Sequence, residues 1–317
     1  RRHCIGPVTS VCPSTTATAI PTFLTGRPPQ QHGFSGWFTW FGELGCQLVV
    51  LPFRHRLGYT PIPESVLTPD VLSGCGPFGD LLGERCRTLM PETLAGSAFN
   101  RAFLGRAENV PFSGLDGLCD GLVAASTGGG RSYSYAYWPE FDALAHPNGV
   151  GSRVVARHLQ LLDRAFLSLC QRLAGSDTLL LVTADHGFMD TVPGHIHRLE
   201  QHPELAETLL LPLSGEPRLA WCHVRPGRQR RFERYIADHF QGVVDLHPSS
   251  RLLDEGWFGL GEPDPRLRDR IGDYALLMQG DHCLTGRVPG EHPLEHIGVH
   301  GGVSSREMRV PLIMVAC

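Results

Sequence analysis

Asp185 and His186 stand side by side directly after the apolar run Leu179-Leu180-Leu181-Val182 and before Gly187. A run of that length reads as a buried strand. Open α/β sheets bind ligands just beyond the carboxyl ends of their strands. A carboxylate and an imidazole delivered there can both reach a divalent cation. The plainer reading is a turn leaving a buried strand, and three further features bear on the choice. Asp142-x-x-x-His146 puts a second carboxylate and imidazole on one face if the segment makes a helical turn. Otherwise it is a loop acid beside an unrelated His, and with 16 His in the chain such pairs arise by chance. His300 lies in Gly298-Val299-His300-Gly301-Gly302, where flanking glycines let the backbone approach a metal or a phosphate. Thr16 falls at an expected helix N-terminus, where free N–H groups and the helix dipole favour an oxyanion. Its hydroxyl is poised as a nucleophile once a metal lowers its pKa; the modest alternative is that Thr15 and Thr16 only cap the helix. His195, His197, His292 and His296 read as surface or outer-shell candidates.

The elements that must position these residues are legible in outline. Residues 4–12 suggest a strand ending at Cys12-Pro13, and Ser14-Thr15-Thr16 offers N-cap chemistry for a helix to Thr25, closed by Gly26. Pro21 argues against the middle of that helix. Gln47–Phe53 reads as a buried strand, 54–80 as a long loop, and Pro91–Leu104 as a helix. Arg131–Trp138 alternates and is aromatic, so it reads as a strand leading to a loop with Asp142 and His146. Ser152 caps an amphipathic helix whose apolar face comprises Val154, Val155, Leu159, Leu162, Phe166 and Leu169, with Gly175 beyond its end. Strand, helix, strand is the rhythm of a mostly parallel sheet. Further on, 218–224 and 274–279 read as strands, 229–240 as a helix and 308–315 as a last strand.

Composition narrows the function. The 317 residues are 42% hydrophobic and 19% charged, which suits one large α/β domain or two modest ones and no disordered or membrane-spanning class. A net charge of −4 offers no general attraction to a nucleic-acid polymer. All 28 basic residues are Arg, so no lysine is available as phosphate clamp or Schiff-base former. Ten Cys without a CxxC pair read as scattered thiols in a reducing compartment, which favours the cytoplasm, although an even count allows disulfides. Arg1-Arg2-His3-Cys4 has neither Met nor a signal-like run, and the chain reads as beginning inside a domain.

Together the motifs resemble the alkaline phosphatase superfamily, most closely its type I phosphodiesterase/nucleotide pyrophosphatase branch. The matching segments are Cys12-Pro13-Ser14-Thr15-Thr16, Thr25-Gly26-Arg27-Pro28 with His32-Gly33, Asp142-x-x-x-His146, Thr183-Ala184-Asp185-His186-Gly187, and His300-Gly301-Gly302 before Glu307-Met308-Arg309-Val310-Pro311. They span nearly the whole chain in the expected order. The resemblance implies an alkaline-phosphatase-like three-layer sandwich around a mostly parallel sheet, forming one catalytic domain over 1–317 with a specificity segment at about 190–290. It implies two Zn2+, or other divalent cations: Asp142, His146 and His300 on one, Asp185, His186 and the Thr16 oxygen on the other. It implies double displacement on a small phosphate ester, a nucleotide included, through a phosphothreonine at Thr16. The family's second zinc also takes an Asp from the sheet's first strand. This chain contains no such residue before Thr16, so the resemblance predicts weak binding of that zinc or none.

The pattern also departs from the family. Where nucleotide pyrophosphatases carry an Asn that binds a phosphoryl oxygen, this chain has Trp37, a candidate substrate contact with only an indole N–H and an apolar face. Phe34, Trp37, Phe38, Trp40 and Phe41 are placed either to stack a base or aryl group or to pack beneath a loop. A phosphomonoesterase or phosphonate hydrolase of the same superfamily is the nearest alternative, the latter disfavoured by the lack of Lys. A non-catalytic member that binds a ligand or partner is the alternative of another class.

Overall fold

The computed structural model describes residues 3–127 and 130–317; Arg1 and Arg2 lie outside the described residues. The architecture is mixed α/β, as the strand–helix alternation predicts. Strand Cys86–Pro91 lies between Glu108–Phe112 and Tyr133–Ala136, all parallel. Strand Arg309–Ala316 lies between Cys4–Thr9 and Leu179–Val182 and runs antiparallel to both, so these two are parallel to each other. A seven-stranded antiparallel sheet takes three strands from residues 38–55 and four from residues 214–278. Two small pairs complete the set: Ile196–Arg198 with Cys283–Thr285, and Met189–Asp190 with Gly298–Val299.

The helix Thr16–Thr25 forms, but the expected side-chain cap at its start does not: Thr15 at the N-cap makes no capping hydrogen bond. Thr15 is extended, and Gly26 takes the left-handed conformation, φ 66°, while its N–H donates to the Thr22 carbonyl. Pro21 stands inside this helix without ending it, at the cost of one backbone hydrogen bond. Helix Arg153–Leu173 starts at Ser152, whose Oγ accepts from the Val155 N–H at 3.3 Å. Ser152→Ala should lower stability by about 1 kcal/mol, read as a fall in urea midpoint at unchanged slope; an unchanged midpoint would show that the cap contributes nothing.

Some expectations need correction. The helix expected over Pro91–Leu104 is a strand end followed by two short helices, Glu92–Ala95 and Ala98–Ala102. Gly96 stops the first, and Ser97 caps the second by accepting from Asn100. The strand expected over Gln47–Phe53 is Cys46–Val49 followed by turns. The segment with Asp142 and His146 is a helix, Glu140–Asn148, rather than a loop. Within Arg153–Leu173, Val155 and Leu169 are buried, whereas Val154 and Leu159 are exposed. Val154 is one residue from Val155, about 100° around the helix, and so off the buried stripe.

The apolar core is divided. One cluster gathers Phe34, Phe41, Phe99 and Phe103 beneath the helix 16–25, and a second fills the space between helix Gln229–His239 and the antiparallel sheet. Among the described residues all ten Cys are free thiols, and no helix is long and apolar enough to cross a membrane.

Candidate active site

Four segments distant in sequence converge on one point. Thr16 stands in the first turn of its helix, Asp142 and His146 lie one turn apart in Glu140–Asn148, Asp185 and His186 follow the strand Leu179–Val182, and His300 follows Gly298–Val299. Thr16 Oγ1 lies 3.1 Å from His186 Nε2. The Asp142 carboxylate is 3.5 Å from His146 Nε2, 3.8 Å from His186 Nε2 and 3.7 Å from His300 Nε2. Asp185 Oδ2 is 3.5 Å from His186 Nε2. The longest of these contacts are beyond hydrogen-bond length. Nitrogen and oxygen face a common centre without filling it.

Why Gly187 follows this pair is steric: a Cβ there would stand 2.0 Å from the Arg306 carbonyl, while the Gly187 N–H donates to the Glu307 carbonyl at 2.7 Å. The carboxyl end of the strand is thereby locked against the segment that follows His300.

The main chain sets the three imidazoles. Nδ1 of His146 donates to the Gly298 carbonyl at 2.9 Å, Nδ1 of His186 to the Gly187 carbonyl at 2.9 Å, and Nδ1 of His300 to the Ser14 carbonyl at 3.3 Å. A carbonyl only accepts, so each Nδ1 carries the proton and each Nε2 turns a lone pair inward. Metal-ligating histidines are oriented in this way. Burial, reinforced by His186 and His146, holds His300 well below its ordinary pKa and so neutral. Burial pushes the Asp142 carboxyl up against the pull of His146 and His186, and Asp185 adds to the rise.

Asp142 Oδ1 and Asp185 Oδ2 are buried and accept no hydrogen bond. A buried carboxylate oxygen without a partner is costly, and a cation is the partner this surrounding can accommodate. Asp142, His186 and His300 each bring one donor atom within 4.8 Å of the others. The donor set therefore fits a divalent cation. The two groups expected from the sequence are brought into one cluster, with Asp142 about as near to His186 as to His300.

Three neighbours were not singled out by sequence reasoning. Phe188 stands edge-on or tilted to His146, His186 and His300, with ring centres 5.3, 5.3 and 5.1 Å away. The Tyr137 phenol is pushed up by burial and by the charges of Asp185 and Asp142. Glu216 ends the strand Ser214–Glu216 and accepts from the Trp37 N–H at 2.7 Å. It packs on Gly301, whose φ of +106° and lack of Cβ admit it. Burial pushes Glu216 up to about 7, against the Thr15 hydroxyl and the Trp37 N–H.

A cavity of about 580 Å³ adjoins the cluster, lined among others by Trp37, Phe38, Tyr59, Glu216, His292 and His296. His296 ties it to the site, its ring 4.2 Å from that of His146. The aromatic group expected after the nucleophile helix divides. Phe34 and Phe41 are core, Trp37 and Phe38 face the cavity, and Trp40 meets His223. The His300 loop rests on Glu307, which accepts from the Gly302 N–H at 2.8 Å and the Ser304 hydroxyl at 2.6 Å. The same carboxylate forks with Arg218 through two 3.1 Å bonds, both side chains almost wholly buried. His195 and His197 lie elsewhere, in a cluster of their own.

Comparisons with known proteins bear on this geometry. The family described as type I phosphodiesterase / nucleotide pyrophosphatase matches residues 93–256, just over half of the chain. A phosphopentomutase from Shewanella sediminis (strain HAW-EB3) is 35% identical over 107 residues, 33% of this chain and 26% of that protein. The chain thus spans about a quarter of the length of that curated relative. Among solved structures, the murine ectonucleotide pyrophosphatase / phosphodiesterase 5 is similar at a TM-score of 0.69 and 14% identity, covering 98% of this chain and 79% of that one. An inactive variant of it in complex with AMP gives a TM-score of 0.70 at 13% identity, with the same coverage. Phosphonoacetate hydrolase from Sinorhizobium meliloti 1021, in complex with phosphonoformate, gives 0.65 at 18% identity, covering 99% and 82%. At these identities the likeness is one of fold, the alkaline-phosphatase-like fold expected from the motifs.

Proposed function

The chain belongs to the type I phosphodiesterase/nucleotide pyrophosphatase family, and from that premise we propose that it hydrolyses small phosphate diesters with Thr16 as nucleophile. The observation that carries this reading is the Thr16 hydroxyl beside His186 Nε2, in a cluster with two unpartnered carboxylate oxygens. Asp142, His146 and His300 would hold one cation, and Asp185, His186 and Thr16 Oγ1 a second. The mixed imidazole and carboxylate donors suit Zn2+. Such ions supply Lewis acidity, lowering the pKa of a hydroxyl they touch and neutralising phosphoryl charge.

The chain's own groups account for the rest. Thr16 Oγ1 attacks phosphorus, and its proton passes to solvent. The new O–P bond forms as the bond to the leaving oxygen breaks, the leaving group taking a proton from solvent. This gives a phosphothreonine still esterified to the second substituent, which water then cleaves to release the monoester. N–H groups at the start of the Thr16 helix that have no backbone partner would meet the phosphoryl oxygens without reorganisation. The cavity walled by Trp37 and Phe38 supports a diester over a monoester, because it offers an aromatic surface for the second substituent. In that reading, residues of the 190–290 segment such as Glu216 and Arg287 shape specificity within the single domain.

Acid quenching of a single turnover with a nucleotide aryl diester, followed by peptide mass spectrometry, should place the nucleotidyl group on Thr16. Label on another residue, or product without any covalent species, would overturn the assignment. Chelator dialysis should abolish turnover, with Zn2+ restoring it.

A further inference from the structure

A second group of imidazoles lies outside the Thr16 site and shares no residue with it. The strands Ile196–Arg198 and Cys283–Thr285 pair in parallel, Ile196 opposite Cys283. His195 and Asp281-His282 immediately precede this pairing, so the register brings them together. His195 Nδ1 lies 2.7 Å from Asp281 Oδ1, and the rings of His195 and His282 are 4.2 Å apart. One donor atom each from His195, Asp281 and His282 falls within 4.8 Å of the others. His197 Nε2 lies 3.1 Å from His282 Nδ1. The backbone beneath is fixed, with Thr191 Oγ1 donating to the Asp281 carbonyl at 2.6 Å and the Arg218 guanidinium to the His282 carbonyl.

We propose that His195, Asp281 and His282 form a second binding site for a borderline transition-metal dication such as Zn2+. Two imidazoles and a carboxylate are a three-ligand set that zinc accepts with a water in the fourth position. The site is half-open, with the His195 side chain 42% and the Asp281 side chain 34% exposed, so an ion can enter with its water. His197 takes the orienting role that histidine ligands require, its hydrogen bond to Nδ1 of His282 fixing that ring. An ion there would clip the two strand entrances together.

The test counts zinc by mass spectrometry after dialysis against Zn2+ alone, on the full chain. Asp142→Asn/His186→Ala/His300→Ala, which removes ligands from both cations of the first cluster, should still retain one zinc per chain. Adding His195→Ala/His282→Ala to that background should remove it, along with the rise in Tm that Zn2+ produces. If the fivefold variant does not fold, X-ray absorption at the zinc edge of Asp142→Asn/His186→Ala/His300→Ala decides. A shell with two imidazoles and a carboxylate supports the site, and any other shell overturns it. Zinc content or Tm response unchanged by the His195/His282 substitutions would overturn it equally, whatever the outcome for Thr16.

Discussion

Thr16→Ala should lower kcat/KM for a phosphate diester by roughly 10⁴-fold or more, the scale on which removal of a nucleophile acts in covalent catalysis. The reason is geometric. Thr16 Oγ1 is the hydroxyl placed at the centre of the cluster, 3.1 Å from His186 Nε2, and alanine leaves only water, which arrives without a fixed orientation. The three imidazoles are held by the carbonyls of Ser14, Gly187 and Gly298. The substitution should therefore leave most metal affinity in place, and metal content measured beside activity separates loss of the nucleophile from loss of the centre. Thr16→Ser keeps the oxygen and should keep part of the activity. A Thr16→Ala protein within tenfold of the parent would rule out the phosphothreonine route.

Glu307→Ala should destabilise the fold by about 3–5 kcal/mol, the usual cost of removing one partner from a buried ion pair. Arg218 is left charged and buried, and the N–H of Gly302 and hydroxyl of Ser304 lose their acceptor as well. The urea midpoint should fall sharply, and zinc affinity should fall with it because the lost contacts hold the His300 loop. Arg218→Met/Glu307→Leu removes both charges and should cost less than Glu307→Ala alone. A single substitution costing under about 1 kcal/mol would mean that water reaches and solvates Arg218.

The sequence made local decisions visible and non-local ones not. The end of the helix Thr16–Thr25 at Gly26 and the Ser152 cap of Arg153–Leu173 were readable because each residue adjoins the element it bounds. The six candidate ligand and nucleophile residues were readable because each carries its own short motif. Glu216 carries no such motif. Its burial depends on Trp37 on one side and Gly301 on the other, contacts that span most of the chain. His296 was visible only as one of several neighbouring His. The joining of residues 38–55 and 214–278 in one sheet rests on a pairing between Gly215 and Phe38, for which no local pattern exists. The helix expected over Pro91–Leu104 failed locally, because Gly96-Ser97 divides it into two short helices.

The hydrogen bonds that aim the three imidazoles have an evolutionary consequence. Their acceptors are main-chain carbonyls, which every amino acid supplies, so mutation of those side chains leaves the acceptors in being. The cavity walls are different, for they are made of side chains such as Trp37, Phe38, Tyr59 and His292. Selection can therefore exchange one leaving group for another by drifting through the walls while the chemical centre is inherited unaltered. A lineage built on this arrangement can diversify in what it cleaves without having to reinvent how it cleaves.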